Sequence, residues 1–411
     1  MNIIYNIGIR ILGFSLQFMA HFNAKIKLGV EGRNNTYTIL KNTLEPNDKT
    51  LWFHCASLGE YEQGLPVFKV LRQHYSNHKI VLSFFSPSGY EIRKSTPIAD
   101  VVVYLPLDTK LNAKTFIDLI KPELTVFVKY DIWPNYLNQL KQNHYRAILI
   151  SAALRANQAY FRFYGAPLRN ALFAFEHIFT QNEESKTLLK SIHYNNVTVS
   201  GDTRFDRVSS QLNIDNTLSF IENFKDEKLC VVAGSTWPED EALIIHYINN
   251  HASKNIKFII APHDIKPGQI SNIKQALHVN YATYSNRNHQ NLKDVQVFIL
   301  DTIGILSKTY TYADIAYVGG AMGHTGLHNT LEPAVFGIPV IIGKNYSKFP
   351  EAEALIHHGG MFSVSNKEQF NAILSELLND TKRRQETGLK NSNFIKKNEG
   401  AVIQITDYLR I

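Results

Sequence analysis

A glutamate follows three residues after a serine where an apolar run closes, in the string His54-Cys55-Ala56-Ser57-Leu58-Gly59-Glu60. Ser57 and Gly59 permit a tight strand-to-helix turn whose backbone N–H groups can meet an anion. Glu60, at the helix entrance, is either an acid placed for the helix dipole or a carboxylate general base. A second string, Lys129-Tyr130-Asp131-Ile132-Trp133-Pro134-Asn135, sets a charged pair ahead of Trp-Pro. Pro134 suits the first position of a helix, and Asp131 either caps that helix or serves the chemistry. A third, Gly201-Asp202-Thr203-Arg204-Phe205-Asp206, offers Arg204 to a carboxylate or phosphate, or else to Asp206 on the surface.

The second half of the chain carries a different set. Gly234-Ser235-Thr236 closes an apolar run like a small phosphate-facing loop, and Ala261-Pro262-His263 closes the next. The richest stretch runs from Ala313 to Gly343 and contains His324-Thr325-Gly326-Leu327-His328-Asn329-Thr330-Leu331-Glu332-Pro333. A Gly-rich turn leading to a helix start at Asn329, Thr330 and Glu332 offers N–H groups to a phosphate and a carboxylate to ribose hydroxyls. Together these pieces describe a nucleotide-sugar site. No P-loop, complete G-x-G-x-x-G at a first strand, or H-E-x-x-H is present, and no D-x-D pair of the metal-holding kind. The 16 histidines are scattered without ligand spacing. The expected enzyme uses no metal and no other cofactor.

These residues need a scaffold, and the chain is long enough for one. Its 411 residues predict two or three domains. With 44% apolar and 19% charged residues the composition is globular, which excludes disordered and collagen-like chains. A formal charge of +7 suits anionic partners without choosing among them. Apolar runs at 51–57, 79–86, 101–105, 124–129, 146–151, 177–181 and 197–200 read as strands separated by helical patterns such as 61–74, 110–120 and 134–142. The alternation lapses over 206–227, then resumes at 229–233, 258–261, 295–300, 315–318 and 339–342. Such runs predict two α/β halves, each a parallel sheet covered on both faces, with ligands at the carboxyl ends of the strands. Cys55 and Cys230 fall in two of these runs and are expected to be buried strand thiols.

The first thirty residues are expected to form an amphipathic helix. Asn6, Arg10, Gln17 and His21 share one helical face, while Ile4, Ile7, Ile11, Phe14 and Phe18 occupy the other. Arg10 makes a spanning helix costly, and no small-residue cleavage site follows. With Lys25, Lys27 and Arg33 behind it, the segment fits a helix lying in a membrane interface. A first helix packed on its own domain and a full anchor are the other readings.

In order along the chain, H-C-A-S-L-G-E, D-I-W-P-N, A-G-S-T, A-P-H, D-T-I-G and H-N-T-L-E-P resemble the 3-deoxy-D-manno-octulosonic acid (Kdo) transferase family. The resemblance covers nearly the whole chain. It implies a GT-B architecture: two Rossmann-like doubly wound domains facing a central cleft, plus the N-terminal amphipathic helix. The implied boundaries are 1–30 for that helix, 31–204 for an acceptor domain, 205–227 for a linker and 228–411 for a donor domain. The implied reaction is metal-independent, inverting transfer of Kdo from CMP-Kdo to a lipid A precursor (lipid IVA) in lipopolysaccharide core synthesis. It would take place at the cytoplasmic face of a bacterial inner membrane, with a peripheral or N-terminally anchored protein and no nucleic-acid partner.

Glu60 falls on the family's general base, and Asp131 and Arg204 fall near positions that support the transition state. Pro262 and His263, then Ile303, Gly304 and Ile305, then Asn329, Thr330, Leu331 and Glu332 fall on CMP-contacting segments. Ser235 and Thr236 are counted with them. The family's P-R-H reads Ala261-Pro262-His263 here, M-G-E reads Ile303-Gly304-Ile305, and E-T-E reads Lys129-Tyr130-Asp131. Thr330 stands where H-N-P-L-E-P has proline. The rival readings are another GT-B nucleotide-sugar transferase or epimerase, and a binding module that has lost activity.

Overall fold

The alternating pattern folds into two seven-stranded parallel sheets among the described residues, one in each of two units of the chain. The computed structural model describes residues 3–411, so residues 1 and 2 of the expected segment 1–30 lie outside the described residues. The first unit runs to Arg207 and regains Glu399–Ile411; the second spans Val208–Asn398.

In the first unit the strands are β1 (Thr50–Cys55), β2 (Lys79–Phe84), β3 (Val101–Tyr104), β4 (Pro122–Val128), β5 (Arg146–Ala152), β6 (His177–Thr180) and β7 (Val197–Val199). They lie in the order β3-β2-β1-β4-β5-β6-β7. Both neighbours of β1 fix its register, Phe53 pairing with Leu82 on one side and Val126 on the other. Alternate residues feed two cores. Trp52 and Phe127 join Phe116 and Leu137 on one face, while Phe53 and Val126 join Phe68 and Leu71 of α3 (Leu58–His74) on the other. Because the strand order reverses between β1 and β4, the turns after those two strands flank the switch point where ligands settle. Those are the turns carrying Glu60 and Asp131.

The second sheet comprises β8 (Leu229–Thr236), β9 (Ile256–Pro262), β10 (Tyr281–Thr283), β11 (Val297–Ile299), β12 (Ile315–Val318), β13 (Val340–Gly343) and β14 (Met361–Val364). Its order is β10-β11-β9-β8-β12-β13-β14, so the reversal lies between β8 and β12. The Gly-rich stretch after β12 and the Ser235 turn of β8 flank it.

Two boundaries depart from expectation. Residues 399–411 leave the second unit: the helix Ala401–Leu409 inserts Ile405 and Leu409 into the core that holds Phe53, and Asp206 accepts from the N–H groups of Gly400 (3.0 Å) and Val402 (3.4 Å) at its start. Asp206 is therefore a helix cap and not a surface partner for Arg204. The stretch expected as a linker is also folded. Its helix Ser219–Lys225 buries Ile221 and Phe224, and the Phe224 ring lies 5.4 Å from that of Phe298.

The N-terminal segment forms two helices, α1 (Ile3–Met19) and α2 (Ala24–Thr43). A polar and small edge of α1 faces the unit. The Tyr5 hydroxyl donates to Asp108 (2.7 Å), Asn135 donates to Asn6 (3.1 Å), and Ile9 is buried. The apolar face stays outside, with Ile4 80% and Phe14 72% exposed and Ile7, Ile11 and Phe18 likewise open. Among the described residues no helix is long and apolar enough to cross a membrane.

Candidate active site

Glu60 sits in the first turn of α3, and its residue is only 8% exposed. Ser57 occupies the N-cap but does not cap the backbone; its hydroxyl donates to Glu60 Oε2 at 2.7 Å. The helix-entrance role is thus left to the backbone, and the carboxylate is held in a chosen rotamer. No cation pairs with it among the described residues, so it keeps lone pairs for a proton.

Asp131 is positioned by a chain of hydrogen bonds anchored at each end by an indole, which can only donate. Trp52 Nε1 donates to Ser83 Oγ (2.7 Å), and the same hydroxyl shares a hydrogen bond with His54 Nδ1 (2.8 Å). His54 Nε2 lies 2.5 Å from Asp131 Oδ2 and 3.0 Å from Trp133 Nε1. Trp133 Nε1 donates to the same oxygen at 2.9 Å. Asp131 therefore does not cap the following helix, Pro134–Gln142. Buried Asp108 does, accepting from the N–H groups of Asn135 and Tyr136 at 3.0 Å each. Burial pushes the Asp108 carboxyl up to about 6.

Lys129, just after β4, holds φ +70°, a left-handed conformation costly for a residue with a Cβ. Arg204 is paired with Asp202, its Nε donating to Oδ2 at 2.8 Å, while Gln63 donates to the other oxygen at 2.9 Å. That pairing ties Arg204 to the strand end beside α3.

In the second unit three rings stack at the strand ends. Trp237 and His263 lie 4.7 Å apart at 22°, and His263 and His328 lie 4.4 Å apart at 30°. Trp237 Nε1 donates to His328 Nε2 (3.1 Å), so that nitrogen carries no proton. Buried Asp240 locks the surrounding loops, accepting from Trp237 N (2.9 Å), Gly320 N (2.8 Å) and the Tyr317 hydroxyl (2.6 Å). Gly319 has no room for a side chain, since a Cβ would stand 2.4 Å from Ser235 O.

The other expected donor residues are placed unevenly. Ser235 is bulged at φ +55°, but Thr236 is buried and gives its hydroxyl to Glu241 (3.0 Å), bracing the following helix. Pro262 ends β9 and is buried. Ile303 stands 81% exposed beside Gly304 and half-buried Ile305. The expected helix start at 329–332 proves slight. The helix is only Leu331–Ala334, and Asn329 Oδ1 already accepts from Leu331 N (3.1 Å), so little dipole is left for a phosphate. Glu332 is held at both oxygens, by Ser307 (2.9 Å) and Asn329 (3.1 Å), in a fixed orientation. Thr330 is buried with φ −80°, a backbone that the family's proline would also adopt.

Burial and the neighbouring His263 push His328 down from its ordinary 6.5 to about 4. The fold therefore favours the neutral ring. Its contribution is fully present above pH 6.5 and is lost as pH falls from there towards 4. The Tm difference between the native protein and His328→Gln should be constant above pH 6.5 and narrow by about 3 °C or more on acidification. A difference unchanged with pH would mean the ring is not held neutral.

Sequence reasoning missed His54, Ser83, Asp108, Trp237 and Asp240. One signal was available: Trp-Pro occurs twice, at 133–134 and 237–238, each time with Trp as N-cap and an indole that reaches a side chain of a loop following a strand.

Residues 30–207 match the family described as 3-Deoxy-D-manno-octulosonic-acid transferase (kdotransferase). A 3-deoxy-D-manno-octulosonic acid transferase of Haemophilus influenzae is 27% identical over 387 residues, spanning 91% of this chain and 90% of the relative. One from Aquifex aeolicus is 28% identical, spanning 82% of this chain and 88% of its own length. Among solved structures, MurG of Acinetobacter baumannii aligns with a TM-score of 0.56 at 11% identity, covering 88% of this chain and 99% of that one. UDP-GlcNAc 2-epimerase from Neisseria meningitidis aligns at 0.54 and 14%, covering 88% and 99%. These likenesses establish the GT-B fold of two Rossmann-like units.

Proposed function

We infer the reaction from one premise: the chain belongs to the 3-deoxy-D-manno-octulosonic acid (Kdo) transferase family. It is a glycosyltransferase that moves Kdo from CMP-Kdo to a hydroxyl of a lipid A precursor in lipopolysaccharide synthesis. Buried, uncompensated Glu60 at the switch point of the first sheet carries this reading. Glu60 takes the proton of the acceptor hydroxyl as that oxygen bonds to the anomeric carbon. The bond from that carbon to the CMP phosphate breaks with its electron pair going to the phosphate, and the configuration inverts. Asp131, held by His54 and Trp133, faces the positive charge that develops on the sugar. Arg204 offers its guanidinium to the anionic groups of the donor.

The second unit takes the donor. Ser235, Pro262, His263 and the segments 303–305 and 329–332 contact the CMP portion, and Glu332 binds the ribose. Glu332→Ala should weaken CMP binding about 10-fold or more, the loss of charge-assisted bonds worth roughly 1.5–3 kcal/mol. Unchanged affinity by calorimetry would remove the ribose assignment.

The open apolar face of α1, followed by exposed Lys25 and Lys27, lies on an anionic membrane surface, where the lipid acceptor resides; Arg33, expected with them, is instead turned inward onto main-chain carbonyls. The whole reading is tested by incubating the protein with CMP-Kdo and lipid IVA and weighing the product. Lipid IVA that gains the mass of Kdo, with release of CMP, is the expected result; CMP-Kdo left intact would overturn it.

A further inference from the structure

A cavity of about 350 Å³ lies between α1, α2 and residues 106–112, all within the first unit. That is the lower end of the range for small-molecule sites, roughly 300–1,000 Å³. Its walls are apolar, with Ile9 and Leu16 from α1, Val30 from α2, and Leu107 opposite. Its polar lining holds two cations among the neutral Gln17, Asn34, Tyr37, Thr109 and Asn112. Arg10 and Arg33 both line it, and among the described residues no carboxylate pairs with either.

Arg33 is unusual. Its guanidinium spends three donors on main-chain carbonyls, Nε on Leu105 (3.1 Å), Nη1 on Gly29 (2.8 Å) and Nη2 on Phe85 (2.6 Å), and lies 4.4 Å over the Phe85 ring. A guanidinium has five N–H donors, so two remain, and the carbonyls leave its full charge uncompensated. A half-buried cation of this kind attracts an anion.

The groove also lies close to the acceptor chemistry. The Phe85 ring packs 4.9 Å from Trp133, whose indole holds Asp131. Ser86, the next residue, donates its N–H to Ala56 O (2.8 Å) in the turn that leads to Glu60. In the other direction the groove is bounded by the helix whose outer face is the exposed apolar one. An amphiphile reaching Glu60 from a membrane would pass along it.

We propose that this groove holds an acyl chain of the lipid acceptor, with Arg33 and Arg10 meeting the anionic groups near the chain's head. The acceptor's identity rests on the Kdo-transfer reading; the groove's chemistry does not. Gly13 marks the floor, where an added Cβ would already stand 3.0 Å from Leu107 Cδ1. Gly13→Leu therefore fills the groove from α1, and Val30→Phe fills it from α2.

Dodecyl phosphate, below its micelle concentration, is titrated calorimetrically into the full chain. Saturable binding is expected, weakened at least tenfold in both variants, while CMP affinity stays within twofold. With acylated lipid IVA the variants should raise acceptor KM at least tenfold and leave kcat within twofold. With a deacylated acceptor they should match the native protein. No dodecyl phosphate binding by the native chain, or equal binding by both variants, overturns the site. Binding lost with acceptor KM unchanged would assign the groove to a bilayer lipid and overturn the acceptor assignment. Native protein that binds dodecyl phosphate but never transfers Kdo would refute the reaction, and the acceptor assignment with it.

Discussion

Glu60→Gln is expected to lower kcat by roughly 10³-fold, the middle of the range that a positioned general base contributes. Glutamine keeps the shape of the side chain and still accepts from the Ser57 hydroxyl, now 2.7 Å from Oε2, so the turn should not rearrange. What it loses is the capacity to take a proton. The base acts on the acceptor hydroxyl and has no bond to the nucleotide, so CMP-Kdo affinity should stay within about threefold. Single-turnover transfer and CMP-Kdo calorimetry on the same preparation check both halves. Near-normal kcat would reduce Glu60 to a buried helix-entrance acid. A collapse of donor affinity would move it to the nucleotide.

Replacing Ile4, Ile7, Ile11, Phe14 and Phe18 together with serine or glutamine is expected to weaken binding to anionic vesicles by about fiftyfold or more. These side chains are 50–80% exposed, so little of the fold depends on them. Full burial of such a side chain is worth about 1.5–3 kcal/mol; a third of that over five residues still amounts to roughly 2.5–5 kcal/mol. The melting temperature should change little, because α1 holds to its unit through Tyr5, Asn6 and Ile9. For the same reason these five surface changes separate attachment from folding, whereas deleting the helix would also remove the Tyr5–Asp108 bond. Cosedimentation with phosphatidylglycerol vesicles is the measurement. Unchanged binding would place the attachment elsewhere on the chain.

Twelve of the fourteen strands among the described residues were legible as apolar runs, because a strand buried on both faces has no polar alternation to confuse it. The two that were not, β10 and β14, are the outer strands of the second sheet. Tyr281–Thr283 is only three residues long, and Met361–Val364 has a half-exposed centre, so neither yields a continuous apolar run. The turns at the carboxyl ends of β1, β4, β8 and β9 were also readable, since Gly, Ser and Pro punctuate them. The partners inside those turns were not. His54 bridges Ser83 and Asp131 across residues 29 and 77 positions away, and only the strand order places them side by side. Asp108 was hidden similarly, capping a helix that begins 26 positions later.

The return of residues 399–411 to the first unit has a consequence for the order of assembly. Domains emerging from a ribosome ordinarily fold in the order they are made. Here the earlier unit cannot complete its hydrophobic seam, because Ile405 and Leu409 are synthesised only after the whole of Val208–Asn398. At about 5–20 residues per second, that intervening stretch takes roughly 10–40 s to make. During that interval the first sheet carries an unfilled apolar strip beside Phe179, whose ring later meets Tyr408 at 5.5 Å. The main core of the second unit is drawn from residues within Val208–Asn398, all of which are made before residue 399. Completion of the first unit is timed by the arrival of residues 399–411, not by its own seventh strand.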